Sequence, residues 1–286
     1  MKYSLFFALA TLATSALAAP HKRTGKNFDR VVTILMENQN FEAIAADPYF
    51  SSIAEKHNGI VLTNYRALTH PSQPNYIGMT SGSYEGCPDD DNCDLDRTSI
   101  ADLLEAKGLT WKNYAEAYTG DCNTAARIGT YARKHTPFMS YVDIQSNPER
   151  CANIVNADQL DEDIANNQVP DYVFYTPDMN NDGHDTDVPY SSNWFKGWLE
   201  PRINQTAFTK NTLFILTWDE ALTSSPTNQI YTVLFGDVIQ VAEGSDRTDD
   251  TPYDHYSLLR SIEDNWNLGT LGRSDSTVKH TFKYNV

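Results

Sequence analysis

The chain has 286 residues, 21% of them charged, and a formal net charge of -16. A field of that sign repels a phosphate backbone, so nucleic acid is not an expected partner. Beyond the first residues no stretch is apolar and long enough to span a bilayer, which argues against stable membrane insertion.

Residues 1–18 have the layout of a secretory signal peptide. Lys2 supplies a positive start, residues 5–12 are an apolar run too short to span a membrane, and Ala16-Leu17-Ala18 is a small-x-small cleavage signal. Residues 19–28 form a leader; Lys22-Arg23 reads as a dibasic processing site after Arg23 or as a basic N-terminus. The remainder, 29–286, is long enough for one α/β domain with an ample core. The expected location is therefore extracellular. Four cysteines (Cys87, Cys93, Cys122, Cys151) then allow three pairings; short loops favour Cys87–Cys93 and Cys122–Cys151. Asn204-Gln205-Thr206 is a glycosylation sequon that suits the same context.

In chain order, residues 29–36 (DRVVTILM) predict a buried strand and 59–65 (GIVLTNY) a second. A helix comes next over 98–107, with Thr98 as cap and Gly108 as stop, then a strand over 109–114. Residues 171–175 (DYVFY), 212–217 (TLFILT) and 230–235 (IYTVLF) are further strands. Residues 255–268 form the last helix, with Leu258, Leu259, Ile262 and Trp266 on one face and Gly269 at its end. Strands alternating with helices predict an α/β fold: a largely parallel central sheet flanked by helices. The Cys-, Asp- and Asn-rich span 84–160 reads as a small cap-like insertion.

Polar residues gather where strands end. The first strand runs into Glu37-Asn38, the 212 strand into Asp219-Glu220, and the 171 strand into Asp178, Asn180, Asp182, His184 and Asp185. Open α/β sheets bind ligands beyond the carboxyl ends of their strands. Each residue alone is equally a loop cap; three strand exits together point to a site. Glu37, Asn38, Asp219 and Glu220 offer oxygen donors that suit a hard divalent cation. Asp178-x-Asn180-x-Asp182-Gly183 resembles half of an EF-hand loop, but Pro189 stands where the closing Glu belongs. Ser72 lies between Pro71 and Pro74, at the start of a predicted helix, where free N–H groups attract phosphate; it reads either as a helix cap or as a reactive hydroxyl. His70, His184 and His255 are candidate proton donors or ligands; His57 and His135 are less well placed. No GxSxG elbow is present, against an α/β-hydrolase esterase.

The segments 36–44 (MENQNFEAI), 69–82 (THPSQPNYIGMTSG), 175–188 (YTPDMNNDGHDTDV), 216–220 (LTWDE) and 254–268 (DHYSLLRSIEDNWNL) together resemble the phosphoesterase family of secreted acid phosphatases and non-specific phospholipases C, within the alkaline-phosphatase-like superfamily. The resemblance implies that Glu37, Asn38, Asp219 and Glu220 hold a divalent metal ion and that Ser72 is the nucleophile. It further implies that Asn75 contacts phosphate and that His184, Asp185 and His255 occupy active-site positions; with the reading of the residues above, His255 and His184 are expected to serve catalysis and His70 and Asp185 to contact substrate. Tyr76 stands where the phospholipase branch has Arg, and the chain lacks room for that branch's C-terminal domain. The expected function is hydrolysis of small phosphate monoesters; a phospholipase C-type phosphodiesterase and a non-catalytic secreted binding protein are the alternatives.

Overall fold

The computed structural model describes residues 25–286. The predicted signal peptide and the Lys22-Arg23 pair lie outside the described residues.

Eight strands form the main sheet: β1 (Arg30–Met36), β2 (Gly59–Leu62), β3 (Trp111–Ala115), β4 (Ile154–Asn156), β5 (Tyr172–Thr176), β6 (Thr212–Trp218), β7 (Thr232–Phe235) and β8 (Thr248–Asp249), in the spatial order β8-β2-β7-β6-β1-β5-β3-β4. β7 runs antiparallel to both its neighbours, and all the other pairings are parallel. All seven residues of β1 and of β6 are buried. That is why these strands read as unbroken apolar runs rather than alternating ones: a parallel strand covered on both faces has no polar side.

The main helices are α1 (Ser72–Ser81), α2 (Ile100–Ala106), α3 (Val188–Leu199) and α4 (His255–Trp266). Every residue of α1 is buried, and α1 packs against α4. Boundaries differ from the sequence reading where a local bond decides them. Ser99, not Thr98, caps α2, because its hydroxyl accepts from Ala101 while Asp102 closes the box on the Ser99 N–H. α4 stops at Trp266 because Asn267 adopts a left-handed φ of 52°, ahead of Gly269. The second strand ends at Leu62; Tyr65–Arg66 pairs instead with Tyr253–Asp254.

The 84–160 span is not a separate cap. It supplies α2, β3 and β4 to the main layers, because the Trp111 strand is apolar enough to complete the sheet beside β5. What leaves the sheet is the connection from β3 to β4 and the loop before α2. Two disulfides pin these pieces, Cys87–Cys93 and Cys122–Cys151, the pairing that short loops favour.

β5, β1 and β6 are adjacent and parallel, so their carboxyl ends emerge at one edge. Met36 is in register with Trp218, which places Glu37 and Asp219 side by side as the chain leaves the sheet.

Candidate active site

The sheet edge brings five side chains together from three distant segments. Ser72 Oγ lies 3.0 Å from Glu37 Oε2 and 3.1 Å from Glu220 Oε1. The Asn38 amide, turned to donate, stands 3.0 Å from Glu37 Oε2, 3.2 Å from Glu220 Oε1 and 3.3 Å from both Asp219 Oδ1 and Ser72 Oγ. The Asn38 backbone N–H also donates to Asp219 Oδ1 at 3.1 Å. Asn38 reaches this position through a left-handed backbone, φ 36°, which asparagine tolerates better than most residues.

Glu37, Ser72, Asp219 and Glu220 are buried. Three carboxylates this close destabilise one another's charge. Burial raises the Glu37 pKa well above the carboxylate range, and Asp219 and Asp182 add to the shift. Burial and Glu220 push Asp219 up to about 7; burial pushes Glu220 up to about 7, against a hydrogen bond from Ser72 that favours its charge. A donor set of hard oxygens carrying excess negative charge fits a divalent cation. With a cation at this centre the Asn38 amide would turn the other way, presenting its carbonyl oxygen in place of its N–H groups.

Further polar groups enclose Glu37. Tyr76 OH donates to Glu37 Oε1. His135 Nε2 is 3.1 Å from the same oxygen, and its Nδ1 is 3.4 Å from Asp182 Oδ2. Glu37, His135 and Asp182, all buried, are close enough together to hold a metal ion. Burial and the nearby Lys134 charge hold the His135 pKa well below its usual value. Lys134 donates to Asp90 at 2.7 Å; burial opposes its charge, but Glu37 and Asp90 more than compensate, and its pKa is raised.

The remaining predicted residues separate. His70 Nδ1 is bonded to Glu220 Oε2 and half-buried. His184 lies on the rim with Nδ1 2.8 Å from Asp185 Oδ1, and Asp185 also accepts from Arg127 at 2.9 Å. The His135 and His184 rings are 6.0 Å apart. His255 is fully buried: Nε2 lies 2.6 Å from the Asp219 carbonyl and Nδ1 3.1 Å from Tyr65 OH. Burial pushes its pKa down to about 4, so the ring is neutral and both nitrogens are engaged. That geometry makes it a brace for Asp219 and removes it as a proton donor.

Asn75 corrects the substrate-contact expectation. Its Oδ1 accepts from Leu68 N and Thr69 N at 2.9 and 3.2 Å, and its Nδ2 donates to Thr69 O and Pro71 O at 2.9 and 3.1 Å. With both donors and both lone pairs spent, the amide shapes the loop before Ser72 and has nothing left for a ligand. Conversely, the sequence reading discounted His135. A signal was available: Arg133, Lys134 and His135 are consecutive basic residues in a strongly acidic chain.

Comparison with known proteins gives consistent matches. A model of the Phosphoesterase family matches residues 45–269. A protein of Kluyveromyces lactis described as a probable acid phosphatase is 38% identical over 275 residues, covering 93% of this chain and 65% of that one, so the chain spans just under two thirds of that relative's length. A phosphatidylinositol-3-phosphatase of Mycobacterium tuberculosis is 30% identical over 251 residues, with 86% and 79% coverage. Among solved structures, a protein in the alkaline phosphatase superfamily from Vibrio parahaemolyticus superposes with a TM-score of 0.55 at 14% identity, over 90% of this chain and 71% of that one; this likeness is one of fold.

Proposed function

Because the chain belongs to the Phosphoesterase family, we propose that it is a secreted acid phosphatase that hydrolyses small phosphate monoesters through Ser72. The observation that carries this reading is the convergence of the Ser72 hydroxyl, at the first turn of α1, with the carboxylates of Glu37, Glu220 and Asp219 and the side-chain amide of Asn38.

Glu37, Asn38, Asp219 and Glu220 are the residues that hold a divalent cation in this reading. When bound, the cation supplies the positive charge that stabilises the Ser72 alkoxide and the phosphoryl oxygens. Ser72 Oγ attacks phosphorus, and its proton passes to Glu220 Oε1 at 3.1 Å, whose other oxygen carries His70. The P–O bond to the leaving alcohol breaks as His184 donates a proton to that oxygen. Asp185 holds the His184 ring by Nδ1, leaving Nε2 as the donor. Water then attacks the phosphoserine, returning a proton to His184, while Glu220 gives its proton back to Ser72 Oγ as the P–O bond to serine breaks and phosphate leaves.

Few large apolar side chains are exposed among the described residues: Val142, Tyr190 and Leu222. No helix there is long and apolar enough to cross a membrane. The scarcity of exposed apolar side chains supports a small soluble ester over a phospholipid. The exposed Asn204 sequon supports the secreted reading.

The test is turnover of p-nitrophenyl phosphate against phosphatidylcholine by the purified chain and by Ser72→Ala. The variant is expected to lose at least ~10³-fold in kcat. A chelator is expected to abolish activity, with recovery on adding a divalent cation. A Ser72→Ala protein as active as wild type would overturn the assignment.

A further inference from the structure

The disulfide loop of Cys87 and Cys93 carries three consecutive acids, Asp89, Asp90 and Asp91. The outer two are exposed, whereas Asp90 is half-buried and turned towards α1. Its Oδ1 accepts from the Gln73 backbone N–H at 3.0 Å and its Oδ2 from Lys134 Nζ at 2.7 Å. Gln73 comes directly after Ser72, so this N–H belongs to the same helix turn as the nucleophile. Lys134 is drawn towards Glu37 and Asp219 as well. Gln73 Nε2 donates to Cys93 Sγ at 3.3 Å, which fastens the loop over the helix start.

A carboxylate bridging a backbone N–H and an ammonium group beside a nucleophilic serine uses donors suited to two oxygens of a phosphoryl group. We propose that Asp90 is an internal stand-in for the substrate's phosphoryl group, and that Gln73 N–H and Lys134 form the subsite it guards. This rests on the phosphatase reading above. A phosphate monoester must displace Asp90 to bind, and once displaced the loop still presents negative charge to it. The device therefore weakens both substrate and product phosphate, trading affinity for release.

The test uses inorganic phosphate as the probe, by titration calorimetry on the purified chain, together with p-nitrophenyl phosphate kinetics. Asp90→Asn and Asp90→Ala are expected to bind phosphate about tenfold more tightly and to lower KM by a similar factor. Asp91→Asn, on the same loop but exposed, is expected to change neither. Lys134→Gln is expected to weaken phosphate at least tenfold in the wild-type and in the Asp90→Ala backgrounds. Phosphate binding no tighter in either Asp90 variant would overturn the proposal, as would an equal gain from Asp91→Asn or a loss confined to kcat. Wild type failing to turn over the ester would overturn the phosphatase reading instead, and the phosphate titration would still decide the role of Asp90.

Discussion

The Tyr76 and His135 rings lie face to face, 5.1 Å apart and 6° from parallel, and both reach the same atom, Oε1 of Glu37. Tyr76 OH donates to this oxygen and His135 Nε2 stands 3.1 Å from it, while the other carboxylate oxygen faces Ser72. In the proposed cation site, groups bonded to the far oxygen of Glu37 would orient it and tune its affinity. Tyr76→Phe keeps the stacked ring and removes the hydroxyl. It is expected to raise the divalent cation concentration needed for half-maximal activity about tenfold, with little change in melting temperature. An unchanged cation requirement would reduce Tyr76 to a packing residue.

His255 separates bracing from proton transfer. Neutral and fixed between Asp219 and Tyr65, it acts by holding the Asp219 backbone. His255→Asn is expected to lower kcat/KM about tenfold and leave the shape of the pH–rate profile intact. His184→Asn, which removes the proposed proton donor, is expected to change that shape. A profile altered in the His255 variant and preserved in the His184 variant would reverse the two roles.

Glu263 on α4 gives a pH effect remote from the site. It is fully buried, and burial together with the adjacent Asp275 pushes its pKa up to about 8; Arg260, 4.0 Å away, opposes the shift. The folded form thus holds a proton that the unfolded chain releases near pH 4. Its contribution to stability is present below about pH 4 and is lost as the pH rises through about 8. Glu263→Gln is expected to stabilise the protein by about 2 kcal/mol at pH 9 and by little at pH 4, read from denaturant unfolding at both values. Equal effects at the two pH values would contradict a buried acid.

The Cys122–Cys151 bridge spans 29 residues. Replacing both cysteines by alanine is expected to cost about 3 kcal/mol through the freedom returned to the unfolded chain. A denaturant midpoint unmoved by the double variant would place the constraint elsewhere.

The sheet was legible because β1, β5 and β6 are covered on both faces and so carry long apolar runs. The oxygen cluster was legible because parallel strands carry the residues at their carboxyl ends to one edge. His135 was not: it sits on a single 3-10 turn, Arg133–His135, whose position depends on tertiary packing against Tyr76 rather than on a local period. Asn75 shows the converse limit. Its place in a motif says nothing about which backbone groups consume its amide, and here the loop takes all four bonds. His255 marks the same boundary, since residue type suggested a titrating donor while complete burial keeps it neutral.

The central strand β1 is the first of the eight to leave the ribosome, yet Val31 must wait for Tyr172 on one side and Leu213 on the other. Both edges of β1 stay bare through most of synthesis, an invitation to wrong pairings. Assembly of Glu37, Ser72 and Asp219 is consequently a late event. A translation product cut short before residue 212 would lack β6 and so have no working centre, however well its N-terminal half collapsed.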